Sequence, residues 1–252
     1  MQHKNYVQTH VLGTRFDHVT MDDMRAHITA FATQRADDNM FVVTANPEIV
    51  DYAFEDAQYQ TVINQADVVV PDGIGVVKAA GWLGTPMPER VPGIELMDVC
   101  LEIAQANKQK VFLLGATEEV VQLAQQKLQQ KFPDVTFGHH HGYIDVEDET
   151  IANEIQAFNP DYLFVGMGFP KQELWINRYK AQFKGTYFMG VGGAIAANSG
   201  TVKRAPQCFI RLNLEWLYRI LTDLKRLPRM KRLPSFVIKV LKQRQVLKRL
   251  RR

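Results

Sequence analysis

Short, almost wholly apolar runs alternate along this chain with longer stretches of helical periodicity. Residues 40–44 (MFVVT), 66–70 (ADVVV), 110–115 (KVFLLG), 161–166 (DYLFVG) and 186–191 (TYFMGV) are rich in β-branched and aromatic side chains. That is the composition of strands buried on both faces. Between them apolar positions recur every three or four residues, predicting helices over about 20–36, 47–64, 73–83, 93–107, 117–131, 148–158 and 171–183. A further short strand is predicted near Val135–Phe137. Strands alternating with helices imply an α/β fold with a doubly wound, mainly parallel, Rossmann-like sheet.

The pattern changes near residue 200. Ile210, Leu214, Leu217, Leu221 and Leu224 form an apolar helical stripe, while Arg211, Glu215 and Arg219 recur at steps of four on another face. Pro228 ends that helix, and Ser235 is placed to cap a last one carrying Phe236, Val237, Val240, Leu241, Leu247 and Leu250 among basic residues. Charge divides at the same point. Residues 1–199 hold 14 Lys and Arg against 25 Asp and Glu, whereas residues 200–252 hold 16 against two, Glu215 and Asp223. The reading is an α/β domain over 1–199 with a basic helical appendage over 200–252, built to meet anions. A basic amphipathic helix of this kind lies on anionic lipid. A helix packed on its own body or on a second copy of the chain is the competing reading of the same pattern.

Composition narrows the class further. With 252 residues, 46% of them hydrophobic and 23% charged, the chain is that of an ordinary globular protein. Two cysteines, Cys100 and Cys208, are too few for a disulfide framework, which points to a reducing, cytoplasmic setting. The first twenty residues contain no apolar block, and no run approaches the length of a spanning helix, so neither a signal peptide nor a membrane span is expected.

Polar residues and glycines gather where strands end. After the first strand come Thr44, Asn46, Pro47 and Glu48; after the second, Pro71-Asp72-Gly73-Ile74-Gly75; after the fourth, Gly166-Met167-Gly168-Phe169-Pro170-Lys171-Gln172-Glu173; after the fifth, Gly190-Val191-Gly192-Gly193. In open α/β sheets the carboxyl edge binds ligands. Asp72 is accordingly a candidate base, although an aspartate there also suits a helix N-cap. A complete G-x-G-x-x-G fingerprint and a Walker A lysine are both missing. His139-His140-His141 reads as an exposed loop, because adjacent histidines do not share one face. No metal or other cofactor is expected.

The ordered motifs TANPE (44–48), PDGIG (71–75), RVPGIEL (90–96), GFPKQE with Trp175 (168–173, 175), GVGG (190–193), KRAP (203–206) and EWLYR (215–219) resemble those of the WecG/TagA/CpsF glycosyltransferases across about residues 10–232. Within that family the likeness is to the enzymes of the teichoic acid linkage unit. The resemblance implies a UDP-sugar donor, UDP-N-acetylmannosamine, and an acceptor, N-acetylglucosamine on undecaprenyl diphosphate, joined with inversion at C4. It implies Asp72 as base, Thr44 and Asn46 as residues orienting donor or acceptor, Arg90 as a diphosphate partner, and Gln172 as a partner of sugar or uracil. Glu173 and Gly192, in the same motifs, are expected to bind substrate as well. With no metal, Arg219, Arg226 and Arg229 would take the charge of the leaving diphosphate. The acceptor would hold the enzyme at the inner face of the cell membrane. One departure is Ala196, aligned with a position where many relatives carry an aspartate; its absence concentrates the base role on Asp72.

Two other readings fit parts of the chain. A different donor, UDP-N-acetylmannosaminuronic acid or UDP-glucose, would use the same scaffold. A nucleic-acid-binding protein would explain the basic tail, but the arginines alternate with an apolar stripe and no stacking platform accompanies them, so no nucleic acid partner is expected.

Overall fold

The computed structural model describes residues 6–34, 37–202, 205–206, 208–209, 216–218 and 232–250. The chain opens with a two-stranded antiparallel hairpin, β1 (Gln8–Val11) and β2 (Thr14–Asp17), turned through Leu12 and Gly13. Both turn residues have positive φ, 51° and 82°, the geometry a two-residue hairpin loop requires. The six-stranded sheet follows. It comprises β3 (Met40–Ala45), β4 (Val68–Pro71), β5 (Lys110–Gly115), β6 (Thr136–His140), β7 (Tyr162–Gly166) and β8 (Tyr187–Gly190). Their spatial order is β4-β3-β8-β7-β5-β6, and every pairing is parallel.

Strand residues alternate between two apolar cores. Phe41, Val43, Val69, Phe112, Leu114, Leu163, Val165 and Phe188 join one cluster. Met40, Val42, Val68, Val70, Val111, Leu113, Tyr162, Phe164, Tyr187 and Met189 join the other. Against the first pack α2 (Pro47–Glu55), α3 (Ala57–Asn64), α4 (Ile74–Leu83), α7 (Glu149–Phe158) and α8 (Lys171–Tyr179); against the second pack α1 (Met21–Gln34), α5 (Gly93–Asn107), α6 (Glu118–Lys131) and α9 (Ala194–Ser199). The sheet is therefore covered on both faces, as a parallel sheet must be.

Several predicted boundaries shift. The helix expected over 47–64 is two, because Asp56 leaves helical geometry and its side chain accepts from Tyr59 N at 3.0 Å to cap α3. The helix expected to reach residue 183 becomes a 3-10 turn at Lys180–Gln182. Pro71 is tolerated as the last residue of β4 because β4 is an edge strand, and its carbonyl accepts from Val91 N at 3.0 Å. The histidine run is not an exposed loop. β6 extends through His140, all three histidines are half-buried, and His139 Nε2 lies 3.3 Å from Glu118 Oε1.

The last helix, α10 (Arg232–Leu250), begins before Ser235 and packs on α2 and α4. Phe236 and Val240 are buried in the first apolar cluster. Asp51, itself buried, accepts from Arg232 Nη1 at 3.0 Å, Ser235 Oγ at 2.8 Å and Lys239 Nζ at 2.8 Å. Ser235 thus bonds a side chain of α2 within the first turn of the helix. Val237, Ile238 and Leu241 remain exposed on the opposite side, alongside Lys242, Lys248 and Arg249. The apolar stripe predicted over 210–224 lies outside the described residues, as do Arg219, Arg226 and Arg229.

Candidate active site

Four neighbouring strands, β4, β3, β8 and β7, end side by side, and their ends carry the candidate residues. Asp72 follows β4, and its backbone N–H donates to Ala45 O at 3.0 Å, which ties it to the end of β3. The N-cap of α4 is Gly73, without a side-chain cap bond, so the competing reading of Asp72 as that helix's cap does not hold. The turn after Arg90 then brings α5 in from the opposite core. Its first residue, Gly93, lies against both Thr44 and Asp72: a Cβ there would sit 2.9 Å from Thr44 Oγ1 and 3.3 Å from Asp72 Oδ2. Only glycine lets the backbone approach that closely. TANPE, PDGIG and RVPGIEL thus converge on one point.

Thr44 is buried, and its hydroxyl donates to Gly190 O at 3.3 Å, linking β3 to β8. Asn46 caps α2, with Oδ1 accepting from Ile49 N at 3.0 Å. Arg90 is mostly buried and lies 4.0 Å from Glu95 of α5. The structure therefore groups Thr44, Asn46, Asp72 and Arg90 around the ends of β3 and β4.

Gln172 and Glu173 sit on the other side of β8, at the start of α8, and both are buried. Gln172 Oε1 accepts from Gly168 N and Gly192 N, each at 3.1 Å, and its Nε2 donates to Glu173 Oε1 at 2.7 Å. Tyr59 Oη donates to the other carboxylate oxygen at 2.8 Å. Burial pushes the Glu173 carboxyl up to about 7, against the downward pull of the bonds from Gln172 and Tyr59. The same burial, with Glu173 as neighbour, raises the Tyr59 phenol far above its ordinary value. Ala196 lies in α9, a turn beyond the Gly192 loop, and is half-buried.

Tyr59 is absent from the sequence-based candidates. It occupies an apolar position in a helical pattern, and nothing in the chain near residue 59 announces a carboxylate partner 114 positions away. Among the described residues, no three His, Cys, Asp or Glu side chains come together as a metal site.

A carboxylate, a buried hydroxyl and glycine-lined turns at the carboxyl ends of adjacent parallel strands are the layout of an open α/β enzyme. The profile of the "Glycosyl transferase WecG/TagA/CpsF family" matches residues 9–250. Relatives named N-acetylglucosaminyldiphosphoundecaprenol N-acetyl-beta-D-mannosaminyltransferase, from Staphylococcus aureus strains NCTC 8325 / PS 47 and COL, are 52% identical over 248 residues, 98% of each chain. The protein of that name from strain MRSA252 is 51% identical over the same span. The chain belongs to the WecG/TagA/CpsF glycosyltransferase family and is a glycosyltransferase.

Proposed function

We propose that this enzyme transfers N-acetylmannosamine from UDP-N-acetylmannosamine to the C4 hydroxyl of N-acetylglucosamine on undecaprenyl diphosphate, with inversion and without a metal ion. The observation that carries the substrate assignment is the 52% identity, over 98% of both chains, to relatives whose names state that acceptor and that sugar. The site chemistry supports it. An inverting transfer needs one base: the acceptor C4 oxygen attacks the anomeric carbon, the carbon–oxygen bond to UDP breaks, and the hydroxyl proton passes to Asp72. Thr44, beside Asp72 around Gly93, and Asn46 orient the sugars. Arg90 and the tail residues Arg219, Arg226 and Arg229 take the charge of the departing diphosphate, as guanidinium groups bind phosphate oxygens in pairs.

The acceptor is a lipid, and among the described residues no helix is long and apolar enough to cross a membrane. We infer a peripheral enzyme at the inner face of the cell membrane, with the outer side of α10 toward the headgroups. Exposed Val237, Ile238 and Leu241 beside Lys242, Lys248 and Arg249 suit an anionic interface. The assignment is tested with a donor panel against one lipid-linked N-acetylglucosamine acceptor, products identified by mass and linkage. A β-1,4 disaccharide formed from UDP-N-acetylmannosamine alone, in excess chelator, is the expected result. Preference for UDP-glucose or the uronate donor, or dependence on added Mg²⁺ or Mn²⁺, contradicts the reading.

A further inference from the structure

The motifs GFPKQE and GVGG are joined by one chain of hydrogen bonds with a fixed direction. Tyr59 Oη and Gln172 Nε2 both donate to the Glu173 carboxylate, so the amide of Gln172 has its nitrogen turned inward. Its oxygen is thereby turned outward, where it accepts from Gly168 N after β7 and Gly192 N after β8. Gly190 makes room for the pair: a Cβ there would lie 2.6 Å from Gln172 Nε2 and 2.9 Å from Glu173 Oε1. Glu173 is 1% exposed and Gln172 4% exposed, and the carboxylate oxygens are both engaged within the protein. Gly190 is also where Thr44 bonds β8, so the tied loops lie next to the carboxylate site.

We propose that Glu173 is a positioning residue. Anchored by Tyr59, it orients Gln172 so that a single amide oxygen holds the turns after β7 and β8 together beside the site. A rotated amide would present its NH2 group to two backbone N–H groups, and both loop bonds would be lost. The placement of these loops as part of the sugar-transfer site rests on the function proposed above; the bond relay itself does not.

The direction of the relay supplies its test. Gln172→Met keeps the length of the side chain and removes both the oxygen that accepts from the two glycines and the nitrogen that donates to Glu173. Combining Gln172→Glu with Glu173→Gln instead exchanges the two groups and rebuilds every bond: Tyr59 donates to the amide oxygen at position 173, that amide's nitrogen donates to the carboxylate at position 172, and the same carboxylate accepts from both glycines. Amide exchange at Gly168 and Gly192 and turnover with UDP-N-acetylmannosamine and a lipid-linked acceptor are measured at pH 8 for wild type and both variants. The single variant is expected to exchange these amides at least about tenfold faster, the equivalent of roughly one hydrogen bond, and to lose turnover at least in proportion. The double variant is expected to recover both to within about threefold of wild type, since the hydrogen-bond count is restored. Unchanged protection in Gln172→Met, or a double variant with protected glycines that is still inactive, overturns the proposal; the second result makes Gln172 a substrate contact instead. Should the single variant fail to fold, the double variant is still required to fold, protect both amides and turn over. An inactive wild type would refute the donor and acceptor assignment alone, because the exchange measurement reads the relay without substrate.

Discussion

Gly93 shows how closely the site depends on single atoms. Alanine is compatible with the first turn of α5, yet its Cβ would meet Thr44 Oγ1 at 2.9 Å and crowd Asp72. Gly93→Ala is therefore expected to leave the melting temperature within a few degrees while lowering turnover by about tenfold or more, because sub-ångström displacement of the proposed base is costly. Wild-type turnover in that variant would separate Gly93 from the reaction. Glu173 carries a different signature. Its folded carboxyl titrates near 7, above the ordinary value of 4.5, so the folded state binds the proton more tightly. The resulting stabilisation is fully present below pH 4.5 and is lost as pH rises through 7. Across that window it amounts to about 3 kcal/mol at 1.36 kcal/mol per unit. Chemical denaturation from pH 5 to 8 should show stability falling in wild type and a flatter profile in Glu173→Gln.

At the scale of elements, α10 is a strut as well as a surface. Its inner side buries Phe236 and Val240 against α2 and α4, and Asp51 gathers three donors from it. Glu55 adds bonds to Arg232 at 3.2 Å and Lys239 at 2.7 Å, which hold its carboxyl below the usual range. Asp51→Ala should cost about 1–3 kcal/mol, the range for unpaired buried partners, and should let proteases cut α10 before the body unfolds. Equal protection of α10 in that variant would show that the apolar contacts alone hold it. Sequence periodicity found the amphipathic character of this helix but not its partner, because Phe236 and Val240 look the same whether they face lipid or α2. The strands of the sheet were legible for the opposite reason: runs such as FVV and VFLL are apolar on both faces and suit only a covered sheet. The hairpin Gln8–Asp17 is hard to read from sequence since its alternation is short, and the break at Asp56 is a local cap inside a continuous helical pattern. Thr44, Asn46 and Asp72 were legible because polar residues directly after apolar strands stand out. The buried relay through Tyr59 was not, because its partners meet only in the folded chain.

For the whole molecule, the described part of the basic block meets the acidic body directly, through Arg232 and Lys239 on Asp51 and Glu55. The acidic α/β body carries the sheet edge, and α10 packs on that body while keeping an apolar and cationic side outward. Removing α10 outright would strip Phe236 and Val240 from the core and confound any membrane test. Substituting its outer side is cleaner. Lys242→Gln, Lys248→Gln and Arg249→Gln together should weaken binding to anionic vesicles by up to about 1 kcal/mol each, with turnover on a short, water-soluble acceptor unchanged. Unaltered vesicle retention would place the membrane contact elsewhere. Whether Asp72 is the base of an inverting sugar transfer is decided by the turnover of Asp72→Asn. The amide keeps the shape of the side chain but cannot take a proton, so turnover is predicted to fall by about 10²–10⁴ while UDP still binds. Near-normal turnover in that variant would remove Asp72 from the base role.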